Sequence, residues 1–328
     1  MINKKTCFVT GANGKIGKKL ILKLLEKKYK VVALVRKKSN LPFKNPDLEI
    51  TISDILDSDK YAKKLQKCDY IFHLAAYQNL TDPNKNNFWK VNVKGTKTIL
   101  DSALKGKIKK FVYLSTIMVF DLNSHKPINE KSPKKIPNDK NFYIDTKLQA
   151  LEIIEQYKTK IPIITIYPTI VIDPDEIFNE TSKPVKRWQV FLWKKLGGGV
   201  PGGLMSIIGN KNRVINYILI DNLIEGIVNS LNKTKNNDCF ILGGENITVE
   251  NFLKQILKIK QKAYLPVRIP IFCLQIFSLL KISKLKSLDN IIESVSTDMR
   301  VSTHKANKIL KLKTGSLKDI KYNASLSS

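Results

Sequence analysis

A chain of 328 residues with 43% hydrophobic content is long enough to bury a sizeable core, as one large domain or as a sheet domain carrying a smaller lobe. Its formal charge of +29 suggests nucleic acid, yet only five of the 57 basic residues are Arg (Arg36, Arg187, Arg213, Arg268 and Arg300) and the remaining Lys are spread over every segment, without a basic arm or an aromatic-interleaved stripe; this excludes a nucleic-acid reader and leaves a solvated lysine surface that concentrates anionic ligands. Four widely separated cysteines (Cys7, Cys68, Cys239, Cys273) without a C-x-x-C point to neither a zinc site nor a disulfide framework. The residues before the first strand are too few for a signal peptide, and the apolar run Ile269 to Leu280 is too short to span a membrane, so a cytoplasmic protein with no metal is expected.

Cys7 to Thr10 reads as a short buried strand. The glycine loop Thr10-Gly11-Ala12-Asn13-Gly14-Lys15-Ile16-Gly17 follows, and then a helix in which Ile16, Leu20, Ile21, Leu24 and Leu25 recur at helical spacing. With 15 Gly in the chain, G-x-x-G-x-x-G would arise by chance about 0.03 times. Here it also stands where a strand turns into a helix. Glycine at such a turn lets the main chain approach a pyrophosphate, and the first N–H groups of the helix face the anion. Gly11, Asn13, Gly14, Lys15, Ile16 and Gly17 are therefore expected to bind a dinucleotide.

Lys30 to Val35 is a β-branched run suited to a strand buried on both faces, ending in Arg36-Lys37-Lys38. An acid about 20 residues past the glycines would hold a ribose 2′-hydroxyl, whereas Arg accommodates a 2′-phosphate. Val35 and Arg36 occupy that region, so NADP is preferred to NAD. Leu48 to Ser53 is the third strand. Asp54 and Ile55 after it offer a carboxylate to the adenine amino group and a side chain to its ring, or equally a loop acid and a core residue. Tyr70 to Ala76 is the fourth strand, where the small Ala75 and Ala76 admit a flat ligand or a tight helix crossing and His73 reads as a packed strand histidine. Successive βα units of this kind predict a parallel, doubly wound sheet with ligands at the carboxyl ends of its strands.

A helix containing Val91-Asn92-Val93-Lys94-Gly95-Thr96 leads to the fifth strand, Phe111 to Ser115, closed by Thr116. The polar, Pro- and Lys-rich stretch Asp121 to Asn141 is a long surface loop of the kind that serves a site. It delivers Tyr143 and Lys147, i and i+4 on one face of the next helix. A nearby ammonium favours the phenolate, and Thr116 is placed to hydrogen-bond the same substrate oxygen. About 1.7 Y-x-x-x-K pairs are expected by chance in so lysine-rich a chain, so the pair draws its weight from its position. Farther on, Glu176 to Asn216 holds Arg187, Trp188, Trp193 and the run Gly197 to Gly203, readable as a lid or as a passive linker. Pro266 to Leu280 is read as a lobe helix, with membrane-surface docking beside Lys281, Lys284 and Lys286 as the lesser reading.

Together these segments resemble the extended short-chain dehydrogenase/reductase family, also called the NAD-dependent epimerase/dehydratase family. T-G-A-N-G-K-I-G is similar to its cofactor loop, Asp54-Ile55 to its adenine contact, H-L-A-A to its fourth strand and N-V-K-G-T, with Asn92, to its Asn-bearing helix. L-S-T-I-M-V-F resembles the strand with its Ser/Thr, and Tyr143 with Lys147 its catalytic pair. Tyr167 to Val171, Ile220-Asp221-Asn222-Leu223 and Ser302 to Leu310 resemble its strand six, its V-D-D-V segment and its closing helix. The resemblance implies an α/β Rossmann fold over residues 1–175, with 217–243 returning to it. Residues 176–216 and 244–328 would mainly build a discontinuous substrate lobe. It makes Tyr143 the acid/base, gives Thr116 a substrate-positioning role and has Lys147 also hold the nicotinamide ribose, with Ala75, Ala76 and Asn92 beside the cofactor.

The departures narrow the activity. Ile117-Met118 stands where the family's dehydratases carry an Asp-Glu pair. Tyr167 replaces the Arg that usually precedes the strand-six Pro, and Ile215 stands where an Arg often meets a sugar-nucleotide phosphate, with Arg213 two residues early. Val35-Arg36 resembles the branch of dihydroflavonol reductases and 3β-hydroxysteroid dehydrogenases. The expected function is NAD(P)-dependent hydride transfer at a carbinol or carbonyl carbon of a sugar nucleotide or related small molecule. The alternative is an NADPH ketone reductase of that branch, and a non-catalytic dinucleotide sensor ranks third. The expected partners are an anionic or sugar-like small molecule and a second copy of the chain in a homodimer, with no nucleic acid and no membrane.

Overall fold

The computed structural model describes residues 4–37, 41, 44–79, 82–122, 127–139, 141–178, 206–208, 210–259, 267–269 and 297–320. Arg187, Trp188, Trp193, the run Gly197 to Gly203, Lys38, His125, Cys273 and Lys281 to Lys286 lie outside them. Seven strands form one sheet: β1 (Thr6–Thr10), β2 (Lys30–Val35), β3 (Leu48–Ile52), β4 (Tyr70–His73), β5 (Lys110–Leu114), β6 (Ile163–Pro168) and β10 (Cys239–Leu242). All pair in parallel, in the order β10-β6-β5-β4-β1-β2-β3. This is the doubly wound Rossmann arrangement, whose order reverses at β1 and β4, beside the glycine loop.

Side-chain alternation along these strands explains why both faces are covered. Phe8, Val32, Leu34, Ile71, Phe111 and Tyr113 point into one core, beneath α4 (Gly95–Leu104) and α5 (Phe142–Tyr157). Their neighbours Cys7, Val9, Val31, Ala33, Val35, Phe72 and Val112 point into the other, beneath α1 (Lys15–Glu26) and α7 (Ile220–Lys233). Strands apolar at every position read as continuous runs in the sequence for this reason. Between these helices lie α2 (Ala62–Leu65), α3 (Lys85–Phe88) and α6 (Pro174–Phe178), and after them α8 (Val249–Ile259) and α9 (His304–Leu310).

A smaller lobe grows from the carboxyl side of the sheet. β7 (Ile170–Ile172) pairs in parallel with β9 (Val214–Leu219), which pairs antiparallel with β11 (Asn246–Thr248). Ile177, Ile215, Tyr217, Ile247, Ile256, Ile259 and Leu317 form its separate core. A two-stranded parallel pair joins β8 (Ser206–Ile208) to β12 (Val267–Ile269). The start of the Pro266 to Leu280 stretch is thus a strand where a helix was expected; three residues of ladder give no helical period to read.

Two further boundaries differ from expectation for a visible reason. β4 stops at His73 instead of running to Ala76, because the next backbone donors turn to side chains: Ala75 N–H donates to Thr10 Oγ1 (3.1 Å) and Tyr77 N–H to Asn92 Oδ1 (2.7 Å). The helix around Asn92 runs from α3 into α4 through a π-helical turn, Trp89–Lys94, and such turns recur at functional sites. The described residues of the Asp121 to Asn141 segment (121–122, 127–139 and 141) are irregular, as expected, but tied down: Ile128 bridges to Val301, and Glu130 Oε1 accepts from Ile241 N–H (2.9 Å).

The tail crosses the whole molecule. Met299 and Val301 enter the first core, Ala306, Leu310 and Leu312 the second, and Leu317 the lobe core. α9 therefore belongs to the nucleotide domain rather than to the lobe that precedes it in sequence. Leu310→Ala is expected to lower stability by about 2–4 kcal/mol in urea unfolding; a change under about 0.5 kcal/mol, the size of an ordinary surface substitution, would show a tail that is merely laid on the surface.

Candidate active site

At the carboxyl end of β1, Gly11 has φ +69°, and a Cβ there would stand 2.8 Å from the Leu74 carbonyl carbon and the Ala75 nitrogen. Gly17 packs its backbone onto Gly11 and Ala12, where any side chain would meet the Gly11 carbonyl. Gly14 caps α1 without a side chain, donating its N–H to Gly11 O (2.9 Å). The first-turn N–H groups of Lys15, Ile16 and Gly17 have no intrahelical acceptor and face outward at the positive end of the helix. A cradle that a Cβ would fill, set on an uncapped helix start, fits the pyrophosphate of a dinucleotide.

The remaining expected contacts fall around this cradle with different roles. Asn13 and Gly14 are exposed at its mouth, and Ile16 is half-buried against the second core. Lys15 Nζ pairs with Glu176 and Lys19 Nζ with Asp173 and Asp175 (both 3.1 Å), so Lys15 offers its backbone rather than its ammonium. Arg36 is exposed at the carboxyl end of β2, the adjacent strand. Asp54 is exposed and accepts from Leu56 N–H (2.9 Å). Ile55 is 5% exposed and packs on Gly95, whose hypothetical Cβ would lie 3.0 Å from Ile55 Cγ2. Ala75 is half-buried and Ala76 exposed beside Gly11.

The Asn92 side-chain carbonyl accepts from Tyr77 N–H, and its amide donates to Tyr77 O (3.1 Å) and Thr146 Oγ1 (3.0 Å). The side chain thus holds the β4 exit against α5.

His73 extends this network. It is fully buried, with Nδ1 2.8 Å from Thr10 Oγ1 and Nε2 2.9 Å from Thr96 Oγ1. The Thr96 hydroxyl donates to Asn92 O (2.6 Å), so its oxygen must accept from Nε2–H. Nδ1 then accepts from the Thr10 hydroxyl, whose oxygen takes the Ala75 N–H. Burial first, and the Lys147 charge second, push the imidazole down to about 3 and keep it neutral. Thr10, Thr96 and Thr146 were missed in the sequence. The hydroxyl at i+4 from Asn92, in N-V-K-G-T, was the available signal.

Tyr143 and Lys147 stand at the head of α5. Asn141 caps that helix by accepting from Ile144 N–H (3.2 Å), and the buried Asp145 accepts from Asn138 N–H (3.3 Å) and Asp139 N–H (2.9 Å), pinning the end of the long loop. One turn after Tyr143, Lys147 is 2% exposed and donates to Leu114 O (2.7 Å). Burial pushes its ammonium from 10.5 down to about 7. Thr116 Oγ1, just past β5, accepts from Met118 N–H (3.3 Å). Ile117 is buried and Met118 half-buried against the core, so neither supplies acid or base.

A dinucleotide cradle facing a Tyr/Lys pair and a threonine hydroxyl, all at the carboxyl ends of one parallel sheet, defines a dinucleotide-dependent enzyme of the epimerase and reductase kind. The chain belongs to the NAD dependent epimerase/dehydratase family, whose profile matches residues 7–243. It is 27% identical over 262 residues to a putative dihydroflavonol 4-reductase of Synechocystis, covering 76% of this chain and 71% of that one. It is 23% identical over 315 residues to a UDP-glucose 4-epimerase of Vibrio cholerae, covering 90% and 87%. The fold is shared with the crystal structure of UDP-glucuronic acid 4-epimerase from Bacillus cereus in complex with NAD, at TM-score 0.73, 22% identity and coverage of 98% and 96%. Among the described residues no helix is long and apolar enough to cross a membrane.

Gly11→Ala is expected to weaken dinucleotide binding at least about tenfold in calorimetric titration, because positive φ and the β4 exit both reject a Cβ; unchanged affinity would contradict the cradle. For Lys147 the sign follows from its lowered proton affinity. Between about pH 7 and 10.5 the unfolded chain binds more protons than the folded one, so this residue's contribution to stability rises with pH across that window. Lys147→Met is expected to raise the urea midpoint at pH 6, and the gain should shrink toward pH 10. A gain that is constant with pH would show that no charge is being buried.

Proposed function

We propose that the chain is an NADP-linked reductase or dehydrogenase that moves hydride between nicotinamide C4 and a ketone or carbinol carbon of a small molecule without a nucleotide diphosphate. The observation that carries this choice lies on β9. Ile215, where sugar-nucleotide relatives of the family place an Arg, is 6% exposed in the lobe core, and the Arg213 Nη1 donates to Thr297 O (3.4 Å). Among the described residues, a diphosphate would meet an isoleucine and no guanidinium at the β9 position. The likeness to the dihydroflavonol 4-reductase supports the same reading, as does Arg36 at the end of β2 for the 2′-phosphate.

Bound in the cradle, the dinucleotide supplies or accepts the hydride, which is the hard step of the reaction. The chain's residues handle the proton. In reduction, the Tyr143 hydroxyl gives its proton to the oxygen of the carbonyl whose carbon receives hydride; in oxidation the phenolate takes it back. Lys147 steadies the phenolate by charge, and Thr116 donates a second hydrogen bond to the same oxygen, fixing the substrate's orientation. A sensor that only binds dinucleotide needs none of these three groups.

A redox-neutral epimerase is the second reading, favoured by the length over which the chain follows the Vibrio enzyme. The two separate in one experiment. The purified protein is incubated with NADPH and a panel of ketones, and in parallel with NAD and UDP- or GDP-sugars. Ketone-dependent NADPH oxidation is expected; inversion of a UDP-sugar without net redox would replace the reductase reading. Tyr143→Phe should cut turnover by about 10²–10⁴-fold while leaving dinucleotide affinity in place. Arg36→Ala should lose about tenfold in NADP affinity with little change for NAD, and equal affinity for both before and after the change would remove the 2′-phosphate argument.

A further inference from the structure

Lys147 is held without an acid. Among the described residues its Nζ donates only to the Leu114 carbonyl, and its environment contains burial and no carboxylate. The second group against it is the ring of Tyr113, one residue earlier on β5, whose centroid lies 4.5 Å from Nζ. Tyr113 is fully buried, and among the described residues its hydroxyl has no hydrogen-bond partner. A buried phenol that makes no hydrogen bond bears an uncompensated polar group, so its value at this position lies in the ring. A cation over an aromatic face gains most where water is excluded, which is the case here.

We infer that Tyr113 is a positioning residue for the proton transfer: its ring, together with the Leu114 carbonyl, holds the Lys147 side chain as an ammonium one helical turn from Tyr143. The ring itself is fixed by packing, since His73 stacks on it at 5.7 Å with planes 27° apart. β5 thus carries two functions in adjacent residues: Tyr113 and Leu114 grip the lysine, and Thr116 faces the substrate. The titratable groups around the pair are His73 on β4, Tyr167 on β6 and Tyr143 on α5. His73 stays neutral above about pH 3, and burial pushes Tyr113 and Tyr167 upward, so neither these nor His73 blurs a change assigned to Lys147 near neutral pH.

This inference rests on the reading of Lys147 as the partner of Tyr143, but the contact itself is testable with no cofactor and no substrate. In a double-mutant cycle of Tyr113→Leu and Lys147→Met, urea unfolding of the cofactor-free protein should show favourable coupling at pH 6, where the lysine is charged. The coupling should vanish at pH 9.5. Additive effects at pH 6, or coupling that is equal at both pH values, would overturn the proposal. In the active enzyme, the limb of the kcat/KM profile that reports Lys147 should move about one pH unit lower in Tyr113→Leu and stay in place in Tyr113→Phe. A purely structural role would reduce the amount of active enzyme and leave the limb where it is.

Should Tyr113→Leu fail to fold, Tyr113→Phe and its mono-, di- and trifluorinated forms keep the shape while draining the ring of charge. The limb is then expected to step downward with each fluorine, and a flat series would overturn the proposal. Coupling in the unfolding cycle without any ketone turnover would leave this contact standing and remove the reductase reading instead.

Discussion

A single neutral imidazole sits where the glycine loop, the end of β4, the π-helical turn and α5 come together. Every hydrogen in the chain Ala75–Thr10–His73–Thr96–Asn92 has one acceptor, and Asn92 carries the connection to Tyr77 and Thr146. In a buried network each group left unmade costs about 1–3 kcal/mol, so the arrangement is satisfied as a whole or is costly throughout. The chain therefore fixes the distance between the cradle and the head of α5. Protonating His73 would force it to give up the Thr10 hydrogen bond, and the fold prevents this by burying the ring completely and setting a lysine nearby.

That lysine shows how differently one residue type is used across this protein. Most of its lysines are exposed, and their ion pairs, such as Lys23 with Glu26 or Lys97 with Asp101, are the solvated kind that add little. Three are structural in a stronger sense. Lys110 donates to Ser230 O (3.2 Å) and Thr234 O (2.8 Å) at the end of α7, where a cation meets the negative end of the helix. Lys15 and Lys19 join the start of α1 to the acids at and just before α6, the first helix of the chain's passage into the lobe. Lys147 is fully buried against a ring and a carbonyl, with its proton held loosely enough to matter near neutral pH.

What the sequence displayed and what it concealed divide along a physical line. The strands β1, β2 and β3, the glycine loop and the start of α5 were readable because each is written locally, in β-branched runs, in glycine spacing and in helical period. The Tyr143 to Lys147 spacing was readable too, and the structure brings it to the same sheet edge as Thr116. The early end of β4, the π turn and the hydrogen bonds of Asn92 were not, because they are set by side chains bonding to groups many residues away, which leaves no period. The packing of Ile55 on Gly95 was hidden too, since contact with a distant glycine has no sequence signature. The assignment of α9 likewise needed the structure: a short helix after a long lobe segment carries nothing that says to which core it returns.

The tail, Thr297 to Ile320, contributes to all three cores. Its hold on the molecule is therefore not the peptide bond but the surfaces it covers, together with Asn246, which accepts from Val301 N–H and donates to Val301 O. Severed between α8 and α9, the chain would become a receptor and the tail a peptide that binds it, with the two pieces finding each other as a bimolecular complex. The segment is in this sense a built-in fastener: it sews the parallel sheet and the lobe together.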